Sequence, residues 1–338
     1  MKIAVCHNLA APVPVRGELH DRVAEQGAAE EAAEVAAALA SLGHQPVIVP
    51  FGADPAVFLT ELNAIGAELI FNLCEGLWGD SHKELHAAAL LELTGLPVTG
   101  SGPLTLGLTQ DKLRTKQLLL AHGLTTPHYL LVPCGQALPA EPGLGFPLIV
   151  KPRSEDASHG ISDASVVDDY PALREQVGYV HRSYQQDALV EEFIDGREIN
   201  VAILGNGAAA TVLPLSEILF DRGQIRPIVS YAGKWLEGTP GWVGTTASCP
   251  AQLTEAEAAA TRAAALAAYR IVGCRDYARV DTRLRDGVPY ILEVNANPDI
   301  SAEVGLARSA GAAGYSYPEL IGKIVDAARR RMEKTDAA

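Results

Sequence analysis

Between Ala278 and Pro298 the chain reads ARVDTRLRDGVPYILEVNANP, and the alternation of residue types gathers chemically useful groups on one side of a ribbon. In the first strand Ala278, Val280 and Leu284 alternate with Arg279, Asp281 and Arg283; in the second Tyr290, Leu292 and Val294 alternate with Glu293 and Asn295. Each strand therefore has an apolar and a polar face. A two-residue turn at Asp286-Gly287 would set Val280 opposite Glu293 and mix the faces. Parity thus predicts a three-residue loop, Arg285-Asp286-Gly287, with Gly287 left-handed and Val280 opposite Leu292. Arg279, Asp281, Glu293 and Asn295 then share a face. Two carboxylates and an amide oxygen beside an arginine form an oxygen-only set suited to magnesium holding phosphate oxygens. The same face would serve equally as the solvated side of an antiparallel sheet with an incidental ion pair.

Upstream, FPLIVKPRSEDASHGI (146–161) is an apolar strand ending in Lys151 and running into a small polar loop. Backbone amides in such a loop cradle phosphate while the lysine adds a point charge. The segment lacks the GxxxxGK[ST] spacing, no GxGxxG follows the first strand, and an ordinary surface loop remains open. In LVEEFIDGREINVAIL (189–204), main chain around Glu192 and Ile194 is placed to read an adenine edge, and Glu198 to accept from ribose hydroxyls. By charge alone the segment is a solvated connector. Lys234, in YAGKW, is a further phosphate candidate or a plain surface lysine.

The elements that must position these groups fall into two styles. Strand-like runs at 2–6, 46–49, 68–74 and 96–99 alternate with helical patterns at 25–42, 53–65 and 82–94, which predicts a parallel sheet with covering helices. The first helix packs through Val35, Leu39 and Leu42 and ends at Gly43. TGSGP (99–103) marks a boundary. Beyond it a helix at 109–122, strands near Tyr129 and Leu148 and a helix near Tyr170 follow, and from Leu189 a long run of strands gives an α+β half. Thr254-Glu255-Ala256-Glu257 opens an Ala-rich helix with a capping box. The polar segment Asn8 to Ala24 is expected to be a mobile lid, and the charged tail from Arg329 to fray.

The chain has 338 residues, 48% of them hydrophobic, enough for two or three domains. Its formal charge of -14 argues against phosphate backbones and anionic lipid as partners. Five cysteines with no metal-site spacing read as reduced core thiols. No run reaches the roughly 18 apolar residues of a membrane span. A cytoplasmic location is the expectation.

Taken together and in order, TGSGPLTLGLTQDKLRTK, GLTTP, PLIVKP with its loop, VEEFIDGREINVAIL, ARVD and LEVNANP resemble the ATP-grasp superfamily and, within it, the D-alanine-D-alanine ligases. The resemblance implies an ATP-grasp fold, α/β and α+β, with a Rossmann-like parallel-sheet domain (1–103), a central domain (104–194) and a C-terminal domain with the metal site (195–338). It implies ATP between the last two, two magnesium ions (or manganese), and a homodimer acting on small molecules. Lys112 and Lys151 would contact the α and β phosphates, Glu191, Glu192, Ile194 and Glu198 would hold adenosine, and Lys234 would reach the γ-phosphate. Asp281, Glu293 and Asn295 would ligate metal. Arg279, Lys234 and Ser158 are the implied catalytic side chains.

The pattern breaks around the substrates. The family's N-terminal glycine-rich segment, with the glutamate that meets the first substrate's ammonium, is absent. Glu75, Asp80 and His82 in CEGLWGDSH are the substitutes, unless they are loop and helix-cap polars. Ala157 replaces a serine, Trp235 a tyrosine and Asp299 a glycine. Val304 and Gly305 stand where a Ser-Leu pair would receive the second substrate's carboxylate, and Asp299 and Glu303 would repel one there. An amide-forming ligase with an altered pocket is the leading reading. An authentic D-alanine-D-alanine ligase and a non-catalytic nucleotide-binding regulator are the alternatives.

Overall fold

The computed structural model describes residues 1–12, 15–223 and 225–335, with side chains except at 24–26, 334 and 335. It builds three sheets in chain order. β1 (Lys2–Asn8), β2 (Gln45–Phe51) and β3 (Leu69–Leu73) form a parallel sheet in the order β2-β1-β3. The connections are right for that topology: α1 (Arg22–Ser41) and α2 (Pro55–Ile65) link the strands, and α3 (Glu84–Glu92) follows. The strand expected at 96–99 is reduced to a bridge between Ile70 and Val98, because Gly100 (φ 82°) turns the chain away.

One helix was expected over 109–122, and two are present, α4 (Pro103–Gln110) and α5 (Lys112–Ala121). Asp111 separates them with an extended backbone, and its carboxylate caps α5 by accepting from the Arg114 amide. Leu106 and Leu119 of these helices enter the core of the third sheet. The second sheet, β4-β7-β5-β6, is antiparallel: β4 (Tyr129–Val132), β5 (Leu148–Pro152), β6 (Val166–Val167) and β7 (Ala188–Glu192), with α6 (Tyr170–Tyr179) packed on it.

The third sheet is antiparallel too, in the order β11-β10-β8-β12-β13 with β9 on β8. Its strands are β8 (Arg197–Leu204), β9 (Thr211–Val212), β10 (Ser216–Phe220), β11 (Thr245–Ser248), β12 (Tyr277–Arg285) and β13 (Val288–Asn295). Between them lie α7 (Tyr231–Trp235), α8 (Pro240–Val243) and α9 (Glu255–Ile271), the last opened by the expected capping box at Thr254 and Glu257. α10 (Gly305–Ala312) and α11 (Tyr317–Thr335) then return to the first sheet. Leu320, Ile321 and Ile324 share a core with Val35 and Leu39 of α1. This packing carries α11 past Arg329 to Thr335, and residues 336–338 of the tail expected to fray lie outside the described residues.

The hairpin reaches its one polar face by a different turn from the one parity predicts. Arg285 pairs with Val288, so the turn is the two-residue Asp286-Gly287, with φ of 52° and 75°. Aspartate tolerates the left-handed region and glycine adopts it freely, and this turn matches the twist of the strands. Parity is restored by a bulge: Thr282 pairs with Ile291 while Asp281 pairs with Glu293, leaving Leu292 as the extra residue. Ile291, not Leu292, joins Val280, Leu284 and Val294 in the core. The cysteines also differ from expectation. Cys6, Cys74 and Cys274 are buried, but Cys134 is exposed. Among the described residues no helix is long and apolar enough to cross a membrane.

Candidate active site

Cross-strand register assembles the polar face. On β12, Arg279 lies opposite Asn295, and Asp281 lies opposite Glu293 on one side and Asn200 of β8 on the other. Asp281 accepts two bonds from Arg279, 2.7 and 2.8 Å, and one of 2.7 Å from Asn200. The guanidinium is thus fixed in a bidentate grip. Burial raises the Glu293 pKa; Lys112, 4.0 Å from its Oε2, opposes that rise and Asp281 adds to it. Two facing carboxylates with an amide alongside form a donor set that a divalent cation would relieve of like-charge repulsion. Among the described residues no three of His, Cys, Asp and Glu gather closely enough to hold a metal, so the amide of Asn295 has to complete the set. The residues fit magnesium.

This face closes one side of a cavity of about 390 Å³ between the second and third sheets. Lys151 and Lys112 reach it from the other side, together with Ile149 and Ile194. Lys112 donates to the Glu155 carbonyl and lies 3.5 Å from Asp156; although burial lowers its pKa, Asp156, Glu293 and Glu155 hold it above the usual lysine value. The loop after β5 is clasped by the α7 region: Ser158 donates to the Val229 carbonyl, Trp235 Nε1 to the Ala157 carbonyl, and the Tyr231 amide to the Ile161 carbonyl. Ala157 and Ser158 both have positive φ, 53° and 61°. Lys234 lies 4.8 Å from the Trp235 ring centroid.

Several expected adenosine contacts are committed elsewhere. Glu191 is 1% exposed and its two carboxylate oxygens lie 2.9 Å from Lys116 and 3.0 Å from Lys151. It binds lysines because burying a carboxylate requires charge partners. The Glu192 amide donates to the His128 carbonyl and its carboxylate accepts from Arg285. Glu198 accepts two bonds from Arg283, opposite it in register, and burial raises its pKa against that partner. Arg283 is itself 3% exposed between Phe193 and Phe220.

A second cavity, about 280 Å³, lies against the first sheet. Asp156, Ala157, His159, Lys234, Asn295 and Asp299 line both cavities and mark where they meet. Its wall is acidic: Glu31 and Glu34 of α1 and Glu75, Glu84 and Asp299 all line it, and no ion pair of theirs occurs among the described residues. Glu31 and Glu34 accept from the Ile300 and Ala302 amides, Glu84 from Asn297, and Asp299 from Ser301. Among the described residues Glu75 has no such hydrogen-bond partner. It lies deep in the molecule yet its side chain is open to the cavity, and burial, reinforced by Asp299, pushes its carboxyl up to about 7. Glu31 and Glu84 are raised well above the usual range, chiefly by burial. Lys234 and His159 are the basic residues among those lining it.

Of the expected ammonium contacts, only Glu75 is free for one. Asp80 is paired with Arg16 and caps the turn before α3 by accepting from the His82 amide, while the His82 ring faces the same arginine. Asp80 and His82 are therefore the loop and cap polars of the blander reading. Of the Asn8 to Ala24 segment, Val13 and Pro14 lie outside the described residues; the rest is tied by polar contacts: Gly17 donates to Ser183, Val15 to Gly79, and Tyr231 and Tyr184 donate to His20 and Asp21. Val304 N-caps α10 without a side-chain bond, and Gly305 lies near Arg279. Arg308, one turn on, lines the larger cavity at the same end and donates to the Glu303 carbonyl.

Sequence reasoning missed Glu31, Glu34, Glu84, Lys116, Arg283 and Arg308. The i, i+3 spacing of Glu31 and Glu34 put both on one face of an Ala-rich helix, a signal hidden by reading that helix only through Val35, Leu39 and Leu42.

Comparison with known proteins is consistent across sequence and shape. A family model described as the D-ala D-ala ligase C-terminus matches residues 125–326. An uncharacterized protein, y4sG, of Sinorhizobium fredii is 41% identical over 78% of this chain and 75% of its own. The D-alanine-D-alanine ligase of Bordetella petrii is 36% identical over 85% of each chain. Among solved structures, D-alanine-D-alanine ligase from Bacillus anthracis superposes with a TM-score of 0.78 at 25% identity, covering 99% of both chains.

Proposed function

Because the chain belongs to the D-alanine-D-alanine ligase family, an ATP-dependent group that forms carbon-nitrogen bonds, we propose that it joins an amino-acid-like carboxylate to an amine and that its donor carries more positive charge than D-alanine. One observation carries the second part: the chamber abutting the polar hairpin face holds five carboxylates that form no ion pair among the described residues, one of them, Glu75, open to the cavity and opposed only at longer range by Lys234 and His159. Such a wall favours ammonium or guanidinium groups and penalises anions.

In this reading ATP lies in the larger cavity with Lys112 and Lys151 on its α and β phosphates and Lys234 at the γ-phosphate, near the junction of the cavities. Two magnesium ions, for which manganese could substitute, would sit on Asp281, Glu293 and Asn295 and neutralise phosphate charge. The donor's carboxylate oxygen attacks the γ-phosphorus, the bond to the β-phosphate oxygen breaks, and ADP leaves. The acceptor amine then attacks the acyl phosphate carbonyl, phosphate departs with the bonding pair, and the amine loses a proton. Arg279, held rigid by Asp281, offsets charge on the transferring group without reorganising. Ser158 and Trp235 hold the loop over the phosphates. The N-terminal segment, pinned across the cavities, excludes water from the acyl phosphate.

The test is phosphate release with donor panels of D-alanine, lysine, ornithine, arginine and 2,3-diaminopropionate in both chiralities, each with a range of acceptors, and product mass. A dicationic donor should give the higher kcat/KM. If D-alanine with D-alanine equals or exceeds every pair, the chain is an ordinary member of its family and the charge reading fails.

A further inference from the structure

We propose that Lys116 is a positioning residue that touches no reactant and holds both phosphate-facing lysines and the metal-facing glutamate in register. It rests on the reading that Lys112 and Lys151 meet the phosphates of ATP.

Lys116 is 1% exposed, among the largest fully buried side chains of the protein. A lysine in that setting needs compelling partners, because desolvation disfavours its charge and indeed lowers its pKa. Its Nζ lies 2.9 Å from Glu191 Oε1, donates to Thr126 Oγ1 at 2.8 Å and reaches the Leu292 carbonyl at 3.4 Å. Each partner leads to a different part of the site. Glu191 accepts from Lys151 through its other oxygen, at 3.0 Å. Leu292 is the bulge residue, and its bulge sets Glu293 opposite Asp281. Thr126 donates at 2.8 Å to the carbonyl of Ile291, the residue before the bulge. Lys112 precedes Lys116 by four residues on α5, so the two share a helix face.

One buried ammonium thus joins α5, the β5–β7 pair and the β13 bulge. Its charge has a further effect. Glu191 is shared between two lysines, so Lys151 is held on one carboxylate oxygen only and can turn toward an anion in the cavity. Without Lys116, the whole negative charge of Glu191 falls on Lys151, drawing it out of the cavity, and a buried oxygen of Glu191 loses its partner.

The experiment measures affinity for magnesium with AMP-PNP, a non-hydrolysable ATP analogue, by titration calorimetry on the full chain, which requires no knowledge of the substrates. Lys116→Met should bind about tenfold more weakly than the parent, on the scale of losing one charged partner. Lys116→Met/Glu191→Gln, with the excess anion removed, should regain most of that loss although it has lost two polar groups. A merely structural lysine would make the double variant at least as weak as the single one, and that result, or parental affinity in Lys116→Met, overturns the proposal. Should Lys116→Met not fold, the isosteric Thr126→Val removes only the hydroxyl that orients the ammonium and should weaken binding about threefold; unchanged binding there counts against it. Lys151→Met separates the premises: if it binds as tightly as the parent, the phosphate assignment itself is wrong, whereas weakened Lys151→Met with parental Lys116→Met refutes Lys116 alone.

Discussion

Glu75→Gln should change the pH dependence of stability before any substrate is identified. The carboxyl moves from an ordinary 4.5 to about 7 on folding, because burial and Asp299 disfavour its charge. At about 1.36 kcal/mol per pH unit this displacement corresponds to at most about 3.4 kcal/mol. Its opening to the cavity lets water screen it, so about 1–2 kcal/mol is expected. The sign follows from linkage. A carboxyl raised by folding is protonated in both states below 4.5, contributes nothing adverse there, and costs stability as pH rises through the interval up to 7. Urea unfolding across that interval should show the parent losing stability and Glu75→Gln losing about 1–2 kcal/mol less. Equal stability near the acidic end and a widening gap above neutrality would meet the expectation. Parallel curves, or a variant less stable at high pH, would refute the account of Glu75 as an uncompensated anion.

Three further outcomes follow from the geometry. Asp281→Asn and Glu293→Gln should each lower kcat by about 10²–10³; Glu293→Gln should leave thermal unfolding near the parent, since the opposite face of the hairpin carries the packing, whereas Asp281→Asn should lower it by leaving Arg279 without its anion, and activity within a few-fold of the parent would remove their role. Arg283→Met should destabilise by about 3–5 kcal/mol by stranding Glu198, and Arg283→Met/Glu198→Gln should recover much of it in denaturant titration. Arg16→Ala, which frees Asp80 and loosens the N-terminal segment, should raise phosphate release without product relative to coupled turnover, measured by comparing phosphate with product mass.

What the sequence determined was whatever period and local chemistry govern. Alternation within each strand put Arg279 with Asp281 and Glu293 with Asn295, and the demand for one apolar face across the ribbon put all four together, although the bulge and not the turn satisfies that demand. The capping box at Thr254 and the parallel alternation of the first hundred residues were legible for the same reason: each is decided within a few residues. The turn was not. A bulge at Leu292 is energetically available at many points along a ribbon, and where it falls depends on what Ile291 and Lys116 pack against from α5 and the core. Roles that require partners distant in sequence were hidden too. Glu191 reads as an adenosine contact until Lys116 and Lys151 close on it, and Glu198 reads as a free carboxylate until β12 brings Arg283 beside it. Beyond the i, i+3 pair of Glu31 and Glu34, the acidic chamber has no local signal, since Glu31, Glu75 and Asp299 come from three distant segments. Only the return of the chain to the first sheet, where α11 packs on α1, places them around one cavity. Burial and mutual repulsion, properties of that assembly and of no single segment, then raise the pKa values of Glu31 and Glu75.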